Sequence, residues 1–165
     1  MLLDYRRVKA EEAAYVQQIL LQNGQWMLSK GIDQWPLDWL ESIADDISAS
    51  VAEGNFWCLE SCDEIVAVVE VHAGPEQLWG LDTEPSLYIH KLAIRRAHAS
   101  RSLGSKLLRC VIQRAREEKR SYVRLDCVAS NDRLRSYYAS QGFHFVTIEN
   151  NGEVELALYQ LELGP

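Results

Sequence analysis

Arg95, Arg96, Ser100, Arg101 and Ser102, followed by Gly104 and Ser105, make a basic, hydroxyl-rich stretch between two apolar patterns. Before it, Leu87 to Ile94 reads as a strand. After it, a helix opens near Gly104 and carries Leu103, Leu107, Leu108, Val111, Ile112 and Ala115 at helical spacing. A helix N-terminus leaves N–H groups unpaired and bears partial positive charge. With arginines and a glycine that lets the backbone approach closely, it becomes an anion site suited to a diphosphate. From Lys91 to Arg109 there are six Lys or Arg and no Asp or Glu; the chain is −7 overall, so the remainder carries −13. Three further groups can move protons. His90, on the strand itself, titrates near neutrality. Glu70 and His72 stand two apart on the preceding strand pattern and so share a face.

Several chemistries are excluded. A P-loop needs adjacent Gly-Lys-Ser/Thr behind an earlier glycine, but the order here is Gly104-Ser105-Lys106 with Ala99 upstream. Neither G-x-G-x-x-G nor the G-x-S-x-G nucleophile elbow occurs. Cys58, Cys62, Cys110 and Cys127 lack the spacing of a metal site and read as reduced core thiols, so no metal is expected. A pI near 5.1 argues against nucleic-acid binding. No apolar run approaches the roughly 20 residues of a membrane helix. The acids and arginines of MLLDYRRVKAEE do not resemble an export signal, so the expected location is the cytoplasm.

The elements that must position these groups are legible in order. Leu2 to Val8 is a strand and Lys9 to Lys30 a helix ended by Gly31; a second helix carries Leu40, Ile43, Ile47 and Val51 and stops at Gly54. Trp26, Trp35 and Trp39 should cluster around the interhelical loop, as a satellite core or as a wall of an acceptor pocket. Phe56–Glu60 and 65–73 form a hairpin about residues 61–64, and residues 74–85 are a turn-rich loop. Tyr122–Val128 is a strand, 132–141 a helix with Gly142 as its left-handed cap, and 143–148 with 153–163 a hairpin about Asn150-Asn-Gly152. The expectation is one α/β domain, 1–165, with a mixed, mainly antiparallel sheet of about seven strands flanked by about four helices. Its alternating last strands offer an edge at which a second copy could pair into a homodimer.

Two blocks carry a resemblance. The strand HKLAI with its basic loop and LGSKLL, then RLDCVASNDRLRSYYASQGF, resemble the GNAT superfamily of N-acetyltransferases, with Asn131, Leu134, Tyr138, Gly142 and Phe143 at the family's spacing. The resemblance implies that strand 87–94 splays from strand 122–128 and that acetyl-coenzyme A enters the gap. It implies that the backbone of Leu92 and Ile94 meets the pantetheine and thioester, and that Asn131 contacts the pantetheine arm while capping its helix. The family's phosphate loop maps onto Ala99-Ser-Arg-Ser-Leu-Gly104, where only the last glycine matches: Ala99 replaces a basic residue and Ser102 a glycine. Backbone N–H groups from Arg101 through Ser102, Leu103, Gly104 and Ser105 would still cradle phosphates if Ser102 needs no positive φ. Arg95, Arg96 or Arg101 would supply the missing charge.

The same resemblance places the Tyr138 phenol at the coenzyme sulfur, where a group of ordinary pKa about 10 is protonated and can donate to a leaving thiolate. His90, on a face shared with Tyr88 and Leu92 by alternation, is the candidate general base, with Glu70 and His72 second. The implied activity is acetyl transfer to a primary amine on a small molecule or peptide, by direct attack. The altered loop keeps a second possibility open, a coenzyme A-binding sensor or partner module without turnover.

Overall fold

The computed structural model, which describes residues 1–165, has seven strands and five helices, and in most of them apolar residues two apart, or three and four apart, form a buried face. In chain order these are β1 (Asp4–Arg7), α1 (Ala13–Ser29), α2 (Leu37–Ser42), α3 (Ala44–Ala52), β2 (Phe56–Ser61), β3 (Glu64–His72), β4 (Ser86–Ile94), α4 (Leu103–Glu117), β5 (Tyr122–Val128), α5 (Asp132–Ser140), β6 (His144–Asn150) and β7 (Glu155–Glu162). The sheet order is β1-β2-β3-β4-β5-β7-β6. β4 and β5 pair in parallel, while β1–β2, β2–β3, β5–β7 and β6–β7 are antiparallel, giving the expected mixed, mainly antiparallel sheet. The chain forms two compact units, Met1–Val71 with Lys91–Cys110, and His72–His90 with Val111–Pro165.

In the first unit α1 buries Val16, Ile19, Leu20 and Met27, and the first three join Leu40, Ile47, Val51, Phe56, Cys58 and Val68 in one core. Each such side chain contributes roughly 1.5–3 kcal/mol by leaving water. α1 starts later than the expected Lys9, after a 3-10 turn at Ala10–Glu12, because the Glu12 carboxylate folds back to accept the Lys9 N–H at 2.8 Å. The expected single helix through Leu40 and Val51 is two, giving five helices rather than four. At Ile43 the backbone turns out of the helix (φ −97°, ψ 12°), yet Leu40, Ile47 and Val51 all stay in the core. No glycine or proline marks that break. Gly24 lets α2 close on α1, since a Cβ there would lie 2.6 Å from Leu40 Cδ1.

The three tryptophans differ in their surroundings. Trp35 packs on the core, Trp26 lies 3.9 Å under the Arg96 guanidinium, and Trp39 is exposed. Each follows the partner its own position offers, apolar surface or a cation. Between β2 and β3, Cys62 and Asp63 take φ +51° and +62°, the two positive values a two-residue hairpin turn demands. Cys62 is therefore an exposed turn residue and not a core thiol, whereas Cys58 and Cys127 are buried and burial pushes both thiols up to about 11.

Arg6 of β1 is clamped by two carboxylates, Glu12 at 2.9 Å through both terminal nitrogens and Glu60 at 2.7 and 2.9 Å. These hydrogen bonds hold both carboxyls below the usual range. A depressed carboxyl stabilises the fold above its unfolded pKa, about 4.3, and that contribution is lost as pH falls through the folded value. Arg6→Gln is expected to cost about 1 kcal/mol at pH 7 and to flatten the acid limb of stability below about pH 4.3. Urea melts across pH check both, and an unchanged acid limb would contradict the assignment.

In the second unit, Leu87, Tyr88 and Ile89 of β4, Val111, Ile112 and Ala115 of α4, and Val123, Leu125 and Cys127 of β5 are buried. α5 ends as expected at Gly142 (φ +93°), where the Gly142 N–H donates to Ala139 and Phe143 N–H to Tyr138. The β6–β7 turn is built by asparagines: Asn150 Oδ1 accepts from Gly152 N at 2.7 Å and Asn151 Oδ1 from Val154 N at 2.9 Å. No helix is long and apolar enough to cross a membrane.

Candidate functional site

The loop before α4 belongs to the first unit. Its chain leaves β4 through a 3-10 turn at Arg96–His98 and enters α4 at Leu103, with Ser102 O accepting the Lys106 N–H. Ser100 and Ser102 lie at φ +65° and +56°. The condition that Ser102 needs no positive φ is therefore not met: the turn keeps the geometry a glycine would take, and serine bears a left-handed cost of about 1–2 kcal/mol. Left-handed residues in a turn of this kind can bring successive N–H groups to one side of the backbone, a geometry that suits an anion.

The three arginines of the loop have separate fates. Arg95 donates to Ile65 O at 2.8 Å and pairs with Glu64 at 3.2 Å, and Arg96 covers Trp26. His98 also meets Glu64, at 3.1 Å. Arg101 remains exposed, with Nη1 3.3 Å from His98 Nδ1. Among the arginines this is the charge left for a phosphate, so the loop's groups fit a diphosphate with Arg101 as its charged contact. Ser102→Gly should remove the left-handed cost, offset by roughly 0.5–1 kcal/mol of glycine entropy. A small rise in melting temperature and tighter coenzyme A binding are expected; a lower melting temperature would show that the serine side chain supports the turn.

β4 changes character at Lys91, whose φ is +49°. The extended repeat breaks there, so the alternation argument that put Leu92 on a face with Tyr88 and His90 stops at His90. The parallel register with β5 also stops early. It runs from Ser86↔Tyr122 to Ile89↔Leu125, although β4 continues to Ile94 and β5 to Val128. Ile94 O accepts from Asn23 Nδ2 at 2.8 Å, which commits that carbonyl to α1. Glu70 is 4% exposed and receives Lys91 Nζ at 2.5 Å on one oxygen and Ser50 Oγ at 2.5 Å on the other. Both oxygens of this second candidate base are thus engaged within the first unit.

The second unit carries the other groups. Tyr138 of α5 is 6% exposed, in ring contact with Tyr137 and Phe143. Burial pushes its phenol far above the ordinary value, with Cys127, Tyr137 and Asp126 adding to the shift, so it is a firm proton holder at any neutral pH. Asn131 caps α5 by accepting the Leu134 N–H at 3.2 Å. His90 is half-buried. Its Nε2 lies 2.6 Å from Glu76 Oε1, and the ring meets His72 edge-on at 5.7 Å. Glu76 was not among the sequence candidates; it sits in the 74–85 loop, where no periodicity points it at β4. Arg124 was also missed. It is 2% exposed in β5, bonded to Asp82, with its guanidinium 4.7 Å from the Trp79 ring.

A family profile described as acetyltransferase (GNAT) family matches residues 20–143. An uncharacterized N-acetyltransferase, YesJ, of Bacillus subtilis (strain 168) is 30% identical over 147 residues, 86% of this chain and 82% of that protein. A GNAT-family acetyltransferase of Listeria monocytogenes superposes with a TM-score of 0.82 at 23% identity, covering 98% of this chain and 95% of that one. The PaiA N-acetyltransferase of Thermoplasma acidophilum, solved in complex with coenzyme A, gives 0.72 at 14% identity over 99% and 100%. With a profile match over most of its length and a fold shared with solved members, this chain belongs to the GNAT family of acetyltransferases, whose co-substrate is acetyl-coenzyme A.

Proposed function

We propose that residues 1–165 act as one transferase domain that moves an acetyl group from acetyl-coenzyme A to a primary amine of a small molecule or peptide, by direct attack. The coenzyme supplies a thioester-linked acetyl group. In this reading Arg101 and the backbone N–H groups of Ser102, Leu103, Gly104 and Ser105 hold the diphosphate, while Arg95 braces the loop through Glu64. Backbone N–H groups of Leu92 and Ile94 orient the pantetheine and acetyl end, and Asn131 adds a contact to the arm. His90 takes one proton from the acceptor ammonium and passes it to solvent. The amine nitrogen then bonds to the acetyl carbon as the carbon–sulfur bond breaks. Tyr138 donates its proton to the sulfur and is restored by the second nitrogen proton through solvent.

The observation that carries this reading is the loop before α4, where two left-handed serines and an arginine free of carboxylates meet a helix N-terminus. The test has two stages. Acetyl-coenzyme A should raise the melting temperature, since a ligand held only by the native state stabilises it. Thiol release should then follow with at least one member of a panel comprising an alkyl diamine, an amino acid amide and a short peptide. Binding without thiol release would instead favour a non-catalytic coenzyme A module, and no binding would refute both.

A further inference from the structure

Glu76 lies in the loop between β3 and β4, just ahead of a 3-10 turn at Gln77–Trp79, yet its carboxylate reaches His90 at 2.6 Å. Both side chains are about a quarter exposed, 21% for Glu76 and 28% for His90. The loop that carries Glu76 is pinned. Arg124, buried in β5, is bonded to Asp82, stacks 4.7 Å from Trp79 and 4.7 Å from Tyr122, and donates to the Tyr88 hydroxyl at 3.3 Å. Asp82 and Trp79 thus fix the chain within six residues of Glu76. On another side His72 presents its ring edge to His90 at 5.7 Å. A surface pair formed by chance would not need a buried arginine, a carboxylate and two aromatic rings to hold its loop.

A carboxylate only accepts hydrogen bonds, so the nitrogen facing it must carry the proton. A neutral imidazole with its hydrogen on Nε2 has its lone pair on Nδ1. We propose that Glu76 is a positioning residue that holds His90 in the Nε2–H tautomer, so that Nδ1 is the atom that removes the proton from the acceptor ammonium. This rests on the reading of the chain as an amine acetyltransferase. In the step, the ammonium N–H bond breaks and its electron pair stays on the amine nitrogen. The proton bonds to Nδ1, and the positive charge of the imidazolium is shared toward Glu76 through Nε2–H. The proton then leaves Nδ1 for solvent.

The tautomer is read directly from nitrogen shifts of 15N-histidine-labelled protein at alkaline pH. There are four histidines, and His90→Gln assigns the signal. The wild type and Glu76→Gln, whose amide oxygen still accepts, should show Nε2–H; Glu76→Ala should lose that preference. With the panel amine turned over fastest, Glu76→Ala should lower kcat by about tenfold to a hundredfold near pH 7, below the roughly 10²–10⁴ of a whole general base. Glu76→Gln should recover part of the loss. The deficit should shrink as pH approaches the amine's own pKa, because a neutral amine needs no base. An Nδ1–H tautomer in the wild type, unchanged kcat in Glu76→Ala, or a deficit constant with pH overturns the proposal, the last showing mere loop support. Wild type inactive on every amine, or His90→Gln fully active, instead overturns the reading beneath it.

Discussion

Replacing Tyr138 with Phe is expected to lower kcat by about tenfold to a thousandfold, within the range of general-acid effects. KM for acetyl-coenzyme A should change little, and so should the melting temperature near neutral pH. The phenol is buried against Tyr137 and Phe143, and phenylalanine keeps the ring that makes those contacts. Burial favours the neutral form, which is why the phenol is raised far above its ordinary value of about 10. Two pH results follow. Ionisation of Tyr138 should cause no fall in kcat through pH 10. Stability should instead decline as pH rises above about 10, because the unfolded chain then ionises this phenol while the folded chain keeps its proton. Tyr138→Phe should remove that part of the alkaline decline. An unchanged kcat with every accepted amine would remove Tyr138 from the reaction.

The second large effect is on stability. Lys91→Met is expected to destabilise the protein by about 3 kcal/mol, because it takes the ammonium away from the buried Glu70 carboxylate. Methionine keeps the length of the side chain, so the loss reports the charge. Combining it with Glu70→Gln should return about half or more of that loss, since the amide needs no counter-charge. Urea unfolding of the two single variants and the double variant gives the coupling directly. A Lys91→Met loss below about 0.5 kcal/mol would mean that Glu70 is satisfied without the lysine.

Much of the scaffold is legible because burial follows periodicity. Leu103, Leu107, Leu108, Val111, Ile112 and Ala115 repeat as one face of α4, and all six are buried. Asn131 and Gly142 bracket α5 by rules that act within a few residues, a side-chain cap at one end and a left-handed glycine at the other. The break at Ile43 had no such marker. The left-handed turn at Ser102 was hidden for a related reason: serine does not signal a conformation that glycine normally announces.

The sequence by itself determined the element order apart from the break at Ile43, the mixed sheet and the basic loop at a helix mouth, because spacing and composition are local properties, and two of its blocks carry the resemblance to the acetyltransferase family. Only the tertiary structure decided which charges are spent and which remain. Arg95 is drawn to Glu64 and Arg96 to Trp26, leaving Arg101. Glu70, two residues from His72 and a plausible base on paper, is neutralised by Lys91, twenty-one residues along the chain. Glu76, unremarkable in a polar loop, is brought to His90 because Arg124 anchors that loop from β5. Hydrogen bonds and ion pairs act over about 3 Å whatever the separation in sequence, so the partners of a titratable group are settled by the fold and not by its neighbours in the chain.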